Sequence, residues 1–196
     1  MKKYKIIALC GESGAGKDFT LNEVIKWDRE RFSPLFHKIT HTTTRPPRDN
    51  EIDGHSYYFL SLGEYKTKRK ESWPVVEVKY KDKWYYSVFK QDLTFDKINI
   101  GVFSPAMIEL LRTDPRVEVI VVKIAAADKT RLRRQLDRSK NPDVEEIIRR
   151  FEADKVDFAN LKVDYTLKNE DVDYVINRQY IEEIGRKFLK NFGQFN

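Results

Sequence analysis

A glycine-rich loop near the start of the chain limits the possible folds more than any other feature. Residues 11–18 (GESGAGKD) directly follow an apolar run at residues 6–9, and apolar positions at helical spacing come after them. Glycines allow a tight turn whose backbone N–H groups point inward at an anion. Lys17 can reach the outer phosphates of a polyphosphate, and a helix that begins beside it presents its positive end to the same charge. This strand–loop–helix context predicts a P-loop that binds a nucleoside triphosphate.

The last position of this loop departs from the usual pattern. Asp18 stands where P-loops carry Ser or Thr, whose hydroxyl helps to hold Mg²⁺. A carboxylate is a hard oxygen ligand that suits Mg²⁺, so we expect Asp18 to bind the metal directly or through water. The residues expected to contact ATP and its Mg²⁺ in this loop are Gly11, Glu12, Ser13, Gly14, Ala15, Gly16, Lys17 and Asp18.

The composition fits one globular domain with anionic partners. The chain has 196 residues, 40% of them hydrophobic, and a formal net charge of +6; these values suit a single core that binds nucleotide-sized anions. No apolar run reaches the length of a membrane span, so we expect a soluble protein. The one cysteine, Cys10, excludes an internal disulfide and favours a reducing, cytoplasmic setting. We expect small-molecule nucleotides as partners, neither nucleic acid nor membrane, and a monomer or a homodimer.

Strand and helix patterns alternate along most of the chain, which predicts an α/β fold with a parallel sheet flanked by helices. Two segments interrupt the alternation. Residues 37–89 are rich in Thr, Tyr, Val and Lys and predict a small β-rich insertion, and residues 129–160 predict a basic helical hairpin. The core then comprises residues 1–36, 90–128 and 161–196. A closing helix is predicted from apolar residues at helical spacing: Ile181, Ile184, Phe188, Leu189 and Phe192.

The most specific pattern lies inside the insertion, at residues 42–59 (TTTRPPRDNEIDGHSYYF). Arg45 and Arg48 are held apart by two prolines, and such a stiff pair can bind a phosphate in bidentate fashion. Tyr57 can add a hydroxyl to the same phosphate. The segment closely resembles the guanylate kinase signature TTRxPRxxExxGxxYxF, with every fixed position present. The order of the glycine-rich loop, the Arg45–Arg48 pair (the clamp) and the basic hairpin extends the resemblance over essentially the whole chain.

The resemblance implies a P-loop kinase core, a monophosphate-binding insertion and a helical lid. It implies that the acceptor phosphate is bound by Arg45, Arg48, Tyr57 and Tyr86, while Glu51 orders the arginines. Glu77, nine residues before Tyr86, would accept hydrogen bonds from guanine, whose N1–H and N2 amino group are adjacent donors. His41 falls where the family has a small hydroxyl residue near the base.

The basic hairpin would close over the transferred group, because arginines stabilise the charge that phosphoryl transfer concentrates there. By spacing, Arg134, Arg138 and Arg150 match the lid arginines of the family most nearly, and with Lys17 they would be the catalytic residues. Asn169 resembles an adenine-contacting asparagine of the family. ATP would be the phosphoryl donor and Mg²⁺ the cofactor.

Several base-side positions depart from the family pattern. Tyr86 is followed by Ser-Val where the family has Gly-Ser/Thr, and the acidic strand end that contacts guanine is missing from residues 97–105. The leading hypothesis is therefore a divergent guanylate kinase-like enzyme that phosphorylates GMP or dGMP. One alternative is a related kinase with another acceptor, such as another deoxynucleotide or a sugar phosphate. Others are a non-catalytic guanylate kinase-like module that binds phosphopeptides and, on charge alone, a nucleic-acid-binding protein.

Overall fold

The computed structural model describes residues 2–48, 51–170 and 174–190. A 3₁₀ turn, Lys90–Asp92, follows the sixth strand. In chain order the helices and strands are β1 (Tyr4–Cys10), α1 (Lys17–Arg29), β2 (Phe36–Lys38), β3 (Thr42–Thr43), β4 (Tyr58–Phe59), α2 (Leu62–Glu71), β5 (Pro74–Tyr80), β6 (Trp84–Phe89), β7 (Ile98–Val102), α3 (Pro105–Thr113), β8 (Val117–Ala125), α4 (Asp128–Leu136), α5 (Val144–Asp157), β9 (Tyr165–Lys168) and α6 (Tyr174–Lys190).

β1 is the middle strand of a five-stranded parallel sheet with the order β2-β7-β1-β8-β9. Its side chains alternate between the two faces, as strand geometry requires. Ile7 and Leu9 pack in one apolar cluster with α1 and α6, while Ile6 and Ala8 pack in a second cluster with α3. A strand covered on both faces must be largely apolar, and residues 6–10 of β1 are apolar and fully buried, with Lys5 as its one charged residue. The predicted parallel sheet flanked by helices is confirmed.

Cys10 is the last residue of β1 and is fully buried. Burial raises the pKa of its thiol to about 11, because a thiolate in an apolar surrounding loses its hydration. The chain turns into the glycine-rich loop directly after this residue, and the side chains of Glu12 and Lys17 are close enough to affect the pKa of the thiol.

The insertion folds as a four-stranded sheet of its own, in the order β4-β3-β6-β5. It also carries α2, which begins with a capping box in which Ser61 and Glu64 satisfy each other's backbone N–H groups. His37 and Lys38, which the sequence assigns to the insertion, lie in β2 and pair with β7 of the central sheet. The predicted boundary at residue 37 thus falls inside a strand of the core sheet.

Residues 129–160 contain the predicted helical hairpin, formed by α4 and α5. The side chain of Asp143 begins α5 by accepting a hydrogen bond from the Glu146 N–H at 3.0 Å. The predicted closing helix is α6, in which Ile181, Ile184 and Phe188 are buried. Phe192 lies outside the described residues. Within the described part of the chain, no helix is both long enough and apolar enough to cross a membrane.

Candidate active site

The glycine-rich loop connects β1 to α1, and its glycines are required by its shape. Gly14 and Gly16 have φ angles of +83° and +91°, a region that other residues rarely adopt. A Cβ at Gly14 would lie 2.5 Å from the backbone oxygen of Arg131, and one at Gly16 would lie 2.3 Å from the Asn169 amide nitrogen. Both the backbone angles and the close neighbours therefore exclude a side chain at these positions.

Lys17 lies at the start of α1 with its side chain folded back over the loop. Its Nζ donates a hydrogen bond to the Glu12 carbonyl oxygen at 3.1 Å, while the Glu12 carboxylate pairs with Lys123 at 2.7 Å. Burial lowers the pKa of Lys17, and the carboxylates of Asp18 and Asp154 oppose that shift. The loop thus holds a cation with little hydration, which strengthens its attraction for phosphate oxygens.

Asp18 is exposed in the first turn of α1 and does not line the cavity described below. Its carboxylate is close enough to raise the pKa of Lys17, and with burial as the main cause it also contributes to a Tyr57 pKa of about 12. The described residues contain no group of three carboxylate, histidine or cysteine side chains that could hold a metal. A single exposed carboxylate fits Mg²⁺, which keeps several waters and is completed by substrate phosphates.

Asn169 and Arg134 both contact the backbone of the glycine-rich loop. The Asn169 amide nitrogen donates to the Ala15 carbonyl at 2.8 Å, and its amide oxygen accepts from Asn177 at 3.3 Å. Arg134 Nη1 lies 3.3 Å from the same Ala15 carbonyl oxygen. Asn169 is 3% exposed, and each end of its amide makes one hydrogen bond within the protein; its contact with adenine stays a prediction.

Asp154, which sequence reasoning missed, and Arg131 bind the backbone on the two sides of Ser13. Asp154 of α5 accepts a hydrogen bond from the Ser13 N–H at 2.7 Å, and Arg131 of α4 donates to the Ser13 carbonyl at 3.0 Å. Arg131 and Asp154 are themselves paired at 2.8 Å and are nearly buried. Both helices of the hairpin therefore contact the loop.

Because Arg131 neutralises a buried carboxylate, Arg131→Met is expected to lower the free energy of unfolding by about 3 kcal/mol, the cost typical of breaking a buried ion pair. Urea titration followed by circular dichroism measures the change. Lys187→Met is the matched control, because Lys187 and Glu183 form an exposed pair that contributes little to stability. Equal losses of unfolding free energy in the two variants would contradict the assignment of Arg131 and Asp154 as a stabilising buried pair.

The predicted acceptor residues lie together around Arg45. This buried side chain donates from Nε to the Tyr86 hydroxyl at 3.1 Å and from Nη2 to Glu51 at 2.8 Å. The other oxygen of Glu51 accepts from the Arg48 backbone N–H at 2.8 Å, and the Tyr57 ring lies 5.6 Å from the Arg45 guanidinium. Glu51 thus connects both arginines of the clamp, which fixes the direction of the guanidinium.

One cavity of about 750 Å³ joins the loop to the clamp. Of the catalytic candidates, Arg150 lies at its wall and is paired with Glu146 at 2.8 Å. Arg138 is not part of the wall, although its charge is close enough to lower the pKa of Lys17. The predicted site residues that line the cavity are Gly11, Ser13, Lys17, His41, Arg45, Arg48, Tyr57, Tyr86 and Arg150. Lining residues that the sequence did not single out include Val78, Tyr80, Trp84 and Asp154, and Arg149 of the basic hairpin also lines the cavity.

The family model described as guanylate kinase matches residues 3–183. The chain belongs to the guanylate kinase family. The resemblance predicted from the signature segment is thus confirmed, and the match covers the central sheet, the insertion and the helical hairpin.

Individual relatives of this guanylate kinase family member are distant. A guanylate kinase of Gloeobacter violaceus is 45% identical over 62 residues, which is 32% of this chain and 28% of that protein. The guanylate kinase of Caldanaerobacter subterraneus is 26% identical over 183 residues, 90% of this chain and 85% of the relative. The matches to the first three curated relatives span less than a third of their length. The crystal structure of an Anaplasma phagocytophilum guanylate kinase has a TM-score of 0.65 at 16% identity, covers 95% of this chain and 87% of that one, and supports the fold.

In this family member the structure places Glu77 away from the cavity. Its carboxylate accepts a hydrogen bond from the Tyr65 hydroxyl and pairs with Arg69 at 2.9 Å, both on α2. Alternate residues of a strand face opposite sides, and the neighbouring Val78 and Tyr80 line the cavity instead. The Glu77 carboxylate thus faces α2 in this structure, and its contact with the base stays a prediction.

His41 lies at the cavity wall and just before β3. It is 7% exposed, and its Nε2 is buried without a hydrogen-bond partner among the residues that the structure describes. Burial lowers its pKa to about 4, so the imidazole is neutral at neutral pH. The predicted acceptor-side residue is thus present at the site, in uncharged form.

Proposed function

We propose that this chain transfers the γ-phosphoryl group of ATP to the phosphate of a nucleoside monophosphate, with GMP and dGMP as the first candidates. The observation that carries the proposal is the single cavity that contains Lys17 of the loop at one side and the Arg45 clamp at the other. A binding module needs one anion site, whereas a transfer between two phosphorylated substrates needs two that share a cavity.

In the proposed reaction an oxygen of the acceptor phosphate attacks the γ-phosphorus of ATP, the bond between that phosphorus and the β–γ bridging oxygen breaks, and ADP leaves. Arg45 and Arg48 hold the acceptor phosphate while Lys17 and Arg150 stabilise the charge on the transferred group. Asp18 would hold Mg²⁺, which neutralises phosphate charge when bound. This division of roles needs no nucleophilic side chain.

We assign residues 37–89 to acceptor binding and residues 129–160 to a lid, in a cytoplasmic enzyme. Arg149 and Arg150 of α5 are both paired with Glu146, at 2.5 and 2.8 Å, and they line the cavity. Exclusion of water by these helices would prevent transfer of the phosphoryl group to water.

The position of Glu77 favours a second candidate function, a kinase of the same type whose acceptor site is not specific for guanine.

The test is ADP release from ATP and Mg²⁺ in the presence of GMP, dGMP, AMP, CMP, UMP, dTMP or ribose phosphates, with products identified by chromatography. We expect ADP and the acceptor diphosphate in equal amounts, and little ADP when the acceptor is omitted. ATP binding without acceptor-dependent ADP release would contradict the proposal and favour the binding module.

A further inference from the structure

The carboxylate of Asp154 occupies a position at the glycine-rich loop that suits a phosphate oxygen. Its Oδ2 accepts from the Ser13 N–H at 2.7 Å and from Arg131 Nη2 at 2.8 Å, so a loop N–H and a guanidinium converge on one oxygen. The Ser13 hydroxyl lies 3.4 Å from the other carboxylate oxygen. Backbone N–H groups of such loops and guanidinium groups are donors that bind phosphate. Asp154 thus uses two donors that also suit a polyphosphate.

These contacts lie on the cavity side of the loop. Ser13, Lys17 and Asp154 all line the cavity. Burial lowers the pKa of Lys17, and the charge of Asp154 is close enough to oppose that shift. A polyphosphate that binds Lys17 therefore meets a carboxylate of like charge beside it, and the two anions repel each other. They also need the same hydrogen-bond donors, so binding of one excludes the other from the Ser13 N–H.

Arg131 has further partners that keep it at the loop without Asp154. Its Nε donates to the Ser13 carbonyl at 3.0 Å, and its Nη1 donates to Asp128 of the same helix at 2.7 Å. Nη2 is the nitrogen that donates to Asp154. Loss of Asp154 therefore frees one side of a guanidinium that stays in place, which suits the exchange of a carboxylate oxygen for a phosphate oxygen.

Asp154 also connects the glycine-rich loop to the helix that carries the lid arginines. It belongs to α5, and Arg149 and Arg150 of the same helix line the cavity. Its side chain is only 13% exposed, so the contact with the loop is shielded from water. Displacement of Asp154 from Ser13 would therefore release α5 from the loop at the moment when a polyphosphate enters.

We propose that Asp154 is an internal competitor of the phosphoryl donor, which displaces this carboxylate from Ser13 and Arg131 when it binds. The ligand class is polyphosphates, which includes the triphosphate of a nucleotide and inorganic tripolyphosphate. The inference deepens the proposed function and rests on it in taking the loop as the donor site. A hydrogen bond to a charged group favours the tied form by about tenfold. A site that is competent in about one molecule in ten binds its ligand about tenfold more weakly.

Asp154→Asn tests the competition, because the amide keeps the shape of the side chain and removes its charge. Glu152→Gln is the matched control, since it removes the same charge from an exposed position of the same helix. Calorimetry gives the dissociation constants for tripolyphosphate and for ATP with Mg²⁺. We expect Asp154→Asn to bind both about tenfold more tightly than the wild type, and Glu152→Gln to stay within about twofold. Unchanged or weaker binding by a folded Asp154→Asn protein would overturn the proposal.

A stability measurement separates competition from a structural role. Without ligand, Asp154→Asn should lower the thermal midpoint, because Arg131 loses an ionic partner. Added tripolyphosphate should raise the midpoint of the variant by more than that of the wild type, since tighter binding stabilises the folded state more. A residue that only holds the loop in shape would instead lower the midpoint and weaken binding together.

A crystal structure of the wild-type chain with tripolyphosphate gives a direct test, even if the asparagine variant does not fold. An oxygen of the ligand should replace Asp154 Oδ2 within hydrogen-bond distance of Ser13 N and Arg131 Nη2. Tripolyphosphate bound at the loop together with an intact hydrogen bond between Ser13 and Asp154 would overturn the proposal.

The outcomes also distinguish this proposal from the proposed function. Tighter tripolyphosphate binding by Asp154→Asn, with no acceptor-dependent ADP release by the wild type, would support the competition and contradict the kinase assignment. Acceptor-dependent ADP release with equal tripolyphosphate affinities in the two proteins would do the reverse. Failure of both proteins to bind tripolyphosphate would overturn the competition, and ADP release would still decide the proposed function.

Discussion

Replacing Lys17 with methionine is expected to lower kcat by about 10³-fold, the loss typical of removing a cationic group that stabilises a transferring phosphoryl group. Methionine keeps an unbranched apolar stem, so the packing of the stem against the loop is largely retained. The variant also leaves Asp18 and Asp154 without a cation that lies close to both, which should weaken ATP binding. Acceptor-dependent ADP release gives kcat, and calorimetry gives the ATP dissociation constant.

Lys26→Met is the control for this variant, because Lys26 lies exposed in the last turn of the same helix. It should change kcat by less than about twofold, as expected for a surface substitution away from the cavity. A Lys17→Met protein that folds and retains wild-type kcat would show that the loop does not hold the phosphoryl donor.

Arg45→Ala should lower kcat/KM for the acceptor by about 10³-fold and leave the ATP dissociation constant within about twofold. Two losses add up at this position. The acceptor phosphate loses a guanidinium, and the carboxylate of Glu51 loses the partner that holds it at 2.8 Å. Arg45→Lys should recover only part of the activity, because an ammonium group cannot bond Tyr86, Glu51 and a phosphate as the planar fork does.

Arg29→Ala is the control for the clamp, since Arg29 is exposed at the end of α1. The two kinetic readings distinguish the possible failures. Equal loss of ATP affinity and acceptor use would indicate general unfolding, whereas unchanged acceptor kinetics in a folded Arg45→Ala protein would refute the clamp.

The central sheet could be predicted because its strands are apolar on both faces and the loop after β1 has a characteristic glycine pattern. The clamp could be predicted because its prolines and arginines act at short range, within residues 45–51. β2 could not be placed, since a three-residue strand (FHK) has no recognisable periodicity. It joins the sheet only through its pairing with β7.

The exceptions in the site depend on geometry that sequence spacing does not contain. The nine-residue separation of Glu77 and Tyr86 does not tell whether the two side chains share a face, because one residue of register reverses the answer. Asn169 has an amide that could serve adenine or the loop, and its hydrogen bond to the Ala15 carbonyl cannot be read from the sequence. The Arg131–Asp154 pair joins α4 to α5 at the backbone of the glycine-rich loop. No local sequence pattern predicts a contact between three segments that lie far apart in the chain.

The rate at which the single cysteine is modified measures how often the donor half of the site opens. A thiol with no exposed surface and a raised pKa does not react with disulfide or alkylating reagents in the folded protein. Modification must wait for the middle strand to separate from its neighbours, so the labelling rate follows the free energy of that opening. Because Cys10 directly precedes the glycine-rich loop, a nucleotide bound to the loop would lower the labelling rate. The labelling rate of the natural cysteine thus reports whether a nucleotide occupies the glycine-rich loop, without any substitution in the chain.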